Sequence, residues 1–167
     1  MSARRHHDLE HIGWREWIGL PDFGIETIKA KVDTGARTSS LHAYDVEEFK
    51  RGTRRFVRFE LHPEQRNTRV TVRCEAPVLE YRKVRPSSGQ AELRPVILAT
   101  VELLGEQWEV ELTLTRRDVM GFRMLLGRQA IRGRFVVDPG RSYVGGRRAK
   151  GTKRLTKRPT KNRKRDR

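Results

Sequence analysis

The sequence predicts an all-β domain that closes into a barrel or a barrel-like sandwich over residues 12–144. Three runs alternate apolar and polar residues with a period of two, the pattern of strands with one buried face. Turn-forming residues separate the runs, and only the stretch from Arg128 to Gly133 suits a helix, of one or two turns. Alternation of this kind favours antiparallel sheet with one solvated face.

The elements follow one another at short intervals. The runs are "RRFVRFEL" (54–61), "TRVTVRCE" (68–75) and "QWEVELTL" (107–114), and the breakers are Pro63, Pro77, "RPSSGQ" (85–90), "LGEQ" (104–107) and "DPG" (138–140). Many short strands with regular turn signals are typical of barrels and sandwiches. The residues expected to face the core are Val57, Phe59 and Leu61 in the first run, Val70, Val72 and Cys74 in the second, and Trp108, Val110, Leu112 and Leu114 in the third.

Charge is concentrated at the C-terminus. Residues 147–167 hold 12 of the 37 Lys and Arg residues and one acid, which gives +11, whereas the first 146 residues hold 25 bases and 20 acids, which gives +5. Because its few apolar side chains cannot offset the entropy lost on ordering, the segment 145–167 is expected to be a disordered basic tail. With a flexible N-terminus over residues 1–11, this leaves residues 12–144 as one domain.

Other features bound the chemistry. The first residues have no apolar signal region and no stretch approaches a membrane span, so we expect a soluble, cytoplasmic protein with no membrane partner. A single cysteine excludes an internal disulfide. No His-Glu-x-x-His motif or Cys/His cluster is present, so no metal or cofactor is expected. His6, His7 and His11 have helical spacing, but in a flexible terminus we expect adventitious metal binding or none.

The stretch "KVDTGARTSS" (31–40) contains an Asp-Thr-Gly triplet directly after an apolar lead-in. A turn interpretation needs only that Gly35 supply a positive φ and that Asp33 make a local side-chain bond. A chemical interpretation makes Asp33 a reactive carboxylate. The second interpretation gains weight from "MLLGRQAI" (124–131), where apolar residues lead into Gly127 and Arg128.

These two stretches together resemble the retropepsin-like aspartic peptidases. That family has an apolar strand followed by Asp-Thr/Ser-Gly-Ala, and later two apolar residues, Gly, Arg and a short helix. The runs "AKVDTGARTSSLHA", "KVRPSSGQAELRPVI", "MLLGRQAI" and "VVDPGRSYV" are closer to a bacterial and archaeal branch. That branch was formerly described as ATP-dependent zinc proteases and is associated with ribosomal-protein glutamate ligases. The resemblance covers roughly residues 12–144 and implies a closed acid-protease barrel with one short C-terminal helix.

The resemblance implies that Asp33, Thr34 and Gly35 are catalytic and that Leu126, Gly127 and Arg128 support them. An aspartic peptidase needs two carboxylates about 3 Å apart that share one proton. The chain has one Asp-Thr-Gly, and Asp118 and Asp138 lie in unrelated contexts. The second carboxylate must therefore come from a second copy of Asp33, which predicts a homodimer.

Two further segments are candidates for substrate binding. "VRPSSGQAEL" fits a hairpin whose tip, Ser87, Ser88 and Gly89, either closes over substrate as a flap or is an exposed turn without function. Ala36 and Arg37 follow the triplet. Viral retropepsins usually have an acid at the position of Arg37, which pairs with the arginine of the Gly-Arg element. Arg37 and Arg128 together favour an acidic substrate, unless Arg37 pairs with an acid elsewhere in the barrel.

Two functions follow from different features. The first is an aspartic endopeptidase acting on acidic or glutamate-rich peptide. The alternative is a non-catalytic module whose basic tail binds a polyanion such as RNA or the ribosome, largely without sequence preference.

Overall fold

The computed structural model describes residues 5–64, 70–85, 89–116 and 121–146. The described residues form twelve strands, one α-helix and two short 3-10 turns at His6–Asp8 and Pro21–Phe23. The first strand begins at Glu10, two residues before the expected start of the domain. The strands are β1 (Glu10–Gly13), β2 (Arg15–Leu20), β3 (Ile25–Asp33), β4 (Ser39–His42), β5 (Tyr44–Arg51), β6 (Arg54–Leu61), β7 (Val72–Pro77), β8 (Glu80–Val84), β9 (Glu92–Leu103), β10 (Glu106–Thr115), β11 (Met124–Gly127) and β12 (Phe135–Asp138), and the helix is α1 (Arg128–Ile131).

Six strands close into a barrel. They run in the order β10–β4–β11–β3–β2–β9, and β9 pairs back onto β10, while β8 adds to the outer edge of β9. Closure removes the exposed edges that an open sheet would leave. The expected all-β, retropepsin-like barrel with one short helix near its C-terminal end is thereby confirmed.

The barrel sheet is mixed, so the expectation of antiparallel sheet holds only in part. The runs that predicted it do pair antiparallel, β6 with β5 and β7, and β10 with β9. β9 and β10 form a long antiparallel hairpin, but β4 pairs with β10 and β3 pairs with β11 in parallel, as does β1 with β12. Each parallel pair in the barrel includes a short, buried strand. All four residues of β11, the partner of β3, are buried, as are three of the four residues of β4, the partner of β10. Strands buried on both faces carry no alternation that distinguishes one pairing direction from the other.

One continuous hydrophobic core buries most of the residues predicted to face it. Val57, Phe59, Leu61 and Leu112 are fully buried, and Cys74 is 4% exposed. Trp108, Val110 and Leu114 are also buried, but Val70 is 39% exposed because β7 begins only at Val72. The largest fully buried side chains include Phe59, Ile12, Ile18, Leu20, Ile28, Leu41, Leu61, Ile97, Leu112, Met124 and Leu126.

A three-stranded antiparallel sheet, β5–β6–β7, lies between β4 and β8 in the order of the chain. The buried side chains of β6 and β7, among them Phe59, Leu61 and Cys74, join the barrel core, and the other face of the sheet points outward. Among the described residues, no helix is long and apolar enough to cross a membrane.

Candidate active site

Asp33 and Gly127 are direct neighbours at the same end of the barrel. β3 ends at Asp33 and β11 ends at Gly127, and the two residues are register partners in a parallel pair. Because parallel strands end at the same edge, the loops that follow them leave the barrel side by side. The predicted proximity of Asp33 and Gly127 is confirmed.

The loop after β3 folds back onto the Asp33 carboxylate. Asp33 Oδ1 accepts hydrogen bonds from the backbone N–H of Gly35 (3.0 Å) and of Ala36 (3.2 Å). Within the described chain, Asp33 Oδ2 and the exposed Thr34 hydroxyl have no hydrogen-bond partner. The half-buried carboxylate therefore keeps one oxygen and the neighbouring hydroxyl available to another group.

Gly35 does not have the positive φ that the turn interpretation required. Its importance lies in space, since a Cβ at this position would be 3.2 Å from Asp33 Oδ1. A glycine lets the backbone N–H approach the carboxylate closely.

Arg128 joins the second element to this loop. Its Nη1 donates to the carbonyl oxygen of Thr34 (2.9 Å) and, at longer range, to that of Gly35 (3.5 Å). The first two N–H groups of α1 donate to the same loop, Arg128 N to Ala36 O (2.7 Å) and Gln129 N to Arg37 O (3.0 Å). The loop carbonyls thus satisfy N–H groups that a helix start leaves without partners.

Gly127 lies so close to the backbone of Thr38 that there is no room for a side chain at this position. A Cβ on Gly127 would be 2.4 Å from Thr38 O, and the Gly127 N–H donates to Ser39 Oγ at 2.9 Å. Ser39 is buried, 3% exposed. Thr38 and Ser39 were not predicted as parts of the site, and the only signal for them was a run of small hydroxyl residues after the triplet.

Arg37 is exposed, and no carboxylate of the described chain lies within 4 Å of its guanidinium. The same holds for Arg128, which is committed to loop carbonyls instead. The alternative that Arg37 pairs with an acid elsewhere in the barrel has no support among the residues described. Arg37 is therefore an uncompensated cation in the same loop that holds the Asp33 carboxylate.

The hairpin predicted as a flap has its stem in β8 and β9, which pair from Glu80–Val96 to Val84–Glu92. Gly89 is exposed, and a Cβ added there would meet no atom of the described residues within 4 Å. Ser87 and Ser88 lie outside the described residues, as does Asp118. Substrate binding by Ala36, Arg37, Ser87, Ser88 and Gly89 stays a prediction.

A buried carboxylate that was not predicted from the sequence lies in β2, the strand next to β3. Glu16 is fully buried, and its oxygens accept from the N–H groups of Gly13 (3.2 Å), Val144 (2.9 Å) and Gly145 (2.7 Å). The carbonyl oxygen of Trp14, close to this anchor in the chain, accepts a hydrogen bond from the N–H of the residue before Asp33, at 2.8 Å. Through these hydrogen bonds, Glu16 holds the segment around Gly145 against β2. β2 in turn pairs with β3, the strand that ends at Asp33.

His42 lies at the far end of β4 from Ser39 and is buried against Arg123 and Tyr44. Arg123 Nη1 lies 3.3 Å from His42 Nδ1, and Tyr44 stacks between His42 and His62 with centroid distances of 4.4 and 4.0 Å. Burial, with Arg123 nearby, lowers the pKa of His62. These contacts give His42 a packing role in the core.

The described residues form no metal site, and a large groove on their surface lies away from Asp33. Within those ranges, no three His, Cys, Asp or Glu residues cluster to hold a metal, and His11 lies in β1. A groove of about 660 Å³ does not include Asp33 and is lined by Ala43, Tyr44, Asp45, Val46, Glu47, Arg58, Phe59, Glu60, Arg73 and Arg116.

Comparison with known proteins agrees with this architecture. The crystal structure of Lpg0085, a protein of unknown function from Legionella pneumophila, matches with a TM-score of 0.68 and 28% identity, over 81% of this chain and 98% of that one. Proteins named "Probable alpha-L-glutamate ligase" are 49% identical over 81% of the chain in Shewanella pealeana and 52% identical over 79% in Parasynechococcus marenigrum. The chain spans only 30% and 28% of those two relatives.

The family profile described as "Retropepsin-like aspartic endopeptidase RimB" matches residues 11–148, which include the Asp33 loop, the β8–β9 hairpin and the Gly127–Arg128 element. The chain belongs to this RimB-like family of retropepsin-like aspartic endopeptidases.

Proposed function

We propose that the protein is an aspartic endopeptidase whose active form is a homodimer, with one Asp33 from each subunit. One observation carries this proposal. The loops at Asp33 and Gly127 lie side by side at the end of the barrel, and one oxygen of the Asp33 carboxylate is without a hydrogen-bond partner in the described chain. One carboxylate cannot act as general acid and general base in the same step.

A second subunit would complete the site without rearranging the first. The Asp33 loop is exposed, the groove of about 660 Å³ lies elsewhere, and the Thr34 hydroxyl has no partner among the described residues. A two-fold axis beside Asp33 would bring identical loops face to face, as an isologous interface requires.

Hydrolysis then proceeds with one proton shared by the pair. The ionised carboxylate takes a proton from water as the water oxygen attacks the peptide carbonyl carbon, and the protonated carboxyl gives its proton to the carbonyl oxygen. As the gem-diol collapses and the C–N bond breaks, the carboxyl that took the proton from water gives it to the leaving amine. The other carboxylate takes a proton from a gem-diol hydroxyl, which restores the shared proton. The two groups titrate as a unit, so the pH profile belongs to the pair.

We further propose that the substrate is acidic, with glutamate-rich peptide as the first candidate. Arg37 supports this choice because it is an exposed cation in the Asp33 loop without a carboxylate partner in the described chain. The ligase activity named for the relatives is not carried over, because the chain matches 30% or less of their length. Their name nevertheless suggests glutamate polymers as peptides to test.

The test compares wild type with Asp33→Asn on glutamate-rich and neutral peptides, with sedimentation equilibrium on the same samples. The variant keeps shape and hydrogen-bonding capacity, so it should fold and dimerise but lose nearly all turnover. Full activity in Asp33→Asn, or activity in a strictly monomeric sample, would contradict the proposal.

The alternative function is polyanion binding by the C-terminal tail without catalysis. It is favoured by the +11 charge of residues 147–167, a segment outside the described residues. This function should be indifferent to Asp33, so the same variant separates the two proposals.

A further inference from the structure

The tip of the β5–β6 hairpin carries an aromatic and basic cluster that peptide hydrolysis does not use. The segment "FKRGTRRF" (49–56) has four cations and no acid, and residues 50–55 are all exposed. β5 and β6 pair Phe49 with Phe56 and Arg51 with Arg54, so a two-residue turn at Gly52 and Thr53 closes the hairpin. Gly52 has a φ of 66°, which suits such a tight turn.

The two phenylalanine rings form a surface on which the guanidinium groups pack. Phe49 and Phe56 stack with ring centroids 5.7 Å apart and planes 28° from parallel. The Arg51 guanidinium lies 4.8 Å from the Phe56 centroid, Arg58 lies 4.7 Å from that of Phe49, and Arg54 lies 6.0 Å from that of Phe56. Guanidinium groups and aromatic rings thus build one layered, outward-facing surface.

The cations of the hairpin tip differ in what they already bind. Arg51 and Arg58 donate to opposite oxygens of Glu75, at 3.0 and 2.8 Å. Lys50 and Arg54 have no carboxylate within 4 Å in the part of the chain that the structure describes. Lys50 and Arg54 are therefore available to an external anion, Arg51 and Arg58 are held over the rings, and Arg55 packs on the Tyr81 ring at 5.7 Å. Lys50 pairs with Arg55, so its side chain leaves the tip on the face opposite the two phenylalanines, while Arg54 lies on their face.

We propose that this tip, residues 49–56 with Arg58, is a binding site for single-stranded nucleic acid. Lys50 and Arg54 contact phosphates, and unpaired bases stack on the guanidinium and phenyl layers. A phosphate backbone with exposed bases uses both features of the tip, whereas an acidic peptide would use only the charges. This site is separate from Asp33 and does not depend on the proposed peptidase activity.

The test measures binding of the full chain to RNA and DNA oligomers of about 12 nucleotides, a length within the usual site sizes. A poly-glutamate peptide of equal charge is the comparison ligand. Lys50→Ala with Arg54→Ala removes two available cations without breaking an ion pair. Arg132→Ala with Arg141→Ala is the matched control, because these two exposed arginines lie elsewhere and also lack a carboxylate partner among the described residues.

The tip variant should bind both oligomers roughly tenfold more weakly at low salt, and the slope of log K against log salt should fall by about 1.4, which is about 0.7 for each of the two phosphates that the cations neutralise. The control variant should stay close to wild type, because its two arginines lie outside the tip. The basic tail contributes equally to binding in all the variants. If the tip variant loses more affinity for one oligomer than for the other, that oligomer, RNA or DNA, is the preferred ligand of the tip. Equal weakening in tip and control variants, or an unchanged tip variant, would overturn the proposal.

Stacking has a separate readout. Phe49→Leu with Phe56→Leu keeps apolar volume but removes the rings, so affinity should fall about tenfold while the salt slope stays unchanged. Thermal unfolding checks that this variant remains folded, and the Lys50 and Arg54 pair tests the site if it does not. An equal weakening of poly-glutamate binding in the Lys50 and Arg54 variant would make the tip a general anion site and overturn the nucleic-acid assignment.

Discussion

Replacing Gly127 with alanine should disrupt the joint between the two loops of the candidate active site. The φ of Gly127 is −84°, which any residue adopts, so the substitution causes no backbone strain of its own. The added Cβ would lie 2.4 Å from Thr38 O, whereas ordinary contact begins at 3.4 Å. The difference, 3.4 − 2.4 = 1.0 Å, is the distance by which one loop must move.

The expected cost follows from that overlap. Forcing an extra carbon into a close-packed contact costs about 1–3 kcal/mol, and alanine recovers about 0.4–1 kcal/mol by restricting the unfolded chain. With the middle of each range, about 2 less about 0.7 kcal/mol, the unfolding free energy should fall by about 1.3 kcal/mol. A shift of about 1 Å beside Asp33 should reduce kcat/KM for the proposed peptide hydrolysis about a hundredfold.

Denaturant unfolding of wild type and Gly127→Ala gives the free energy, and peptide hydrolysis gives kcat/KM. Gly89→Ala is the stability control, because Gly89 is exposed and no atom of the described residues lies within 4 Å of its Cβ position. It should cost nothing measurable. If Gly127→Ala unfolds within about 0.3 kcal/mol of wild type, the close approach of Gly127 and Thr38 does not hold the loops together.

Three other changes have distinct expected results. Arg37→Ala should lower kcat/KM on glutamate-rich peptide ten- to a hundredfold, the worth of a contact of about 1.5–3 kcal/mol, and equal effects on neutral peptide would remove the acidic preference. Deleting residues 147–167 should leave the unfolding midpoint unchanged but weaken polyanion binding and its salt dependence, and an unchanged salt slope would place the charge elsewhere. Burial raises the pKa of Cys74 to about 12, so at a pH of about 8 its thiol stays protonated in the folded protein and thiol reagents should label it only after unfolding. Native labelling at the unfolded rate would contradict that burial.

Local patterns were enough to predict the strands with one wet face. In β6 and β10 the alternation of apolar and polar residues set the core face, and Val57, Phe59 and Leu112 are buried as expected. The pairing directions could not be obtained in this way. The parallel pair of β3 with β11 joins Asp33 to Gly127, residues far apart in the chain, and no local periodicity encodes such a register.

The candidate site was predicted in part. Asp33, Gly127 and Arg128 came from the joint resemblance of two stretches, and their contacts now have a physical account. Ser39 and Glu16 were missed because their partners are distant backbone N–H groups, for Ser39 that of Gly127 and for Glu16 chiefly those near the end of the described chain. A glutamate in an alternating strand normally faces water, so only the fold reveals a buried one.

Gly35 lacks the positive φ that the turn interpretation would have required. Asp-Thr-Gly suggests a turn in which glycine supplies an unusual backbone angle. In this loop, glycine is needed because the backbone N–H approaches the Asp33 carboxylate, at 3.0 Å. Two physical uses of glycine produce the same sequence pattern.

The most direct test of the central claim mixes wild type and Asp33→Asn subunits in equal amounts, refolds them together at constant total protein and measures hydrolysis of a glutamate-rich peptide. If catalysis needs both carboxylates of a dimer, random pairing leaves about a quarter of the dimers active, so the rate should fall to about a quarter of the wild-type value. A rate of about half would mean that each subunit acts with its own Asp33 alone, and would contradict the shared-carboxylate mechanism.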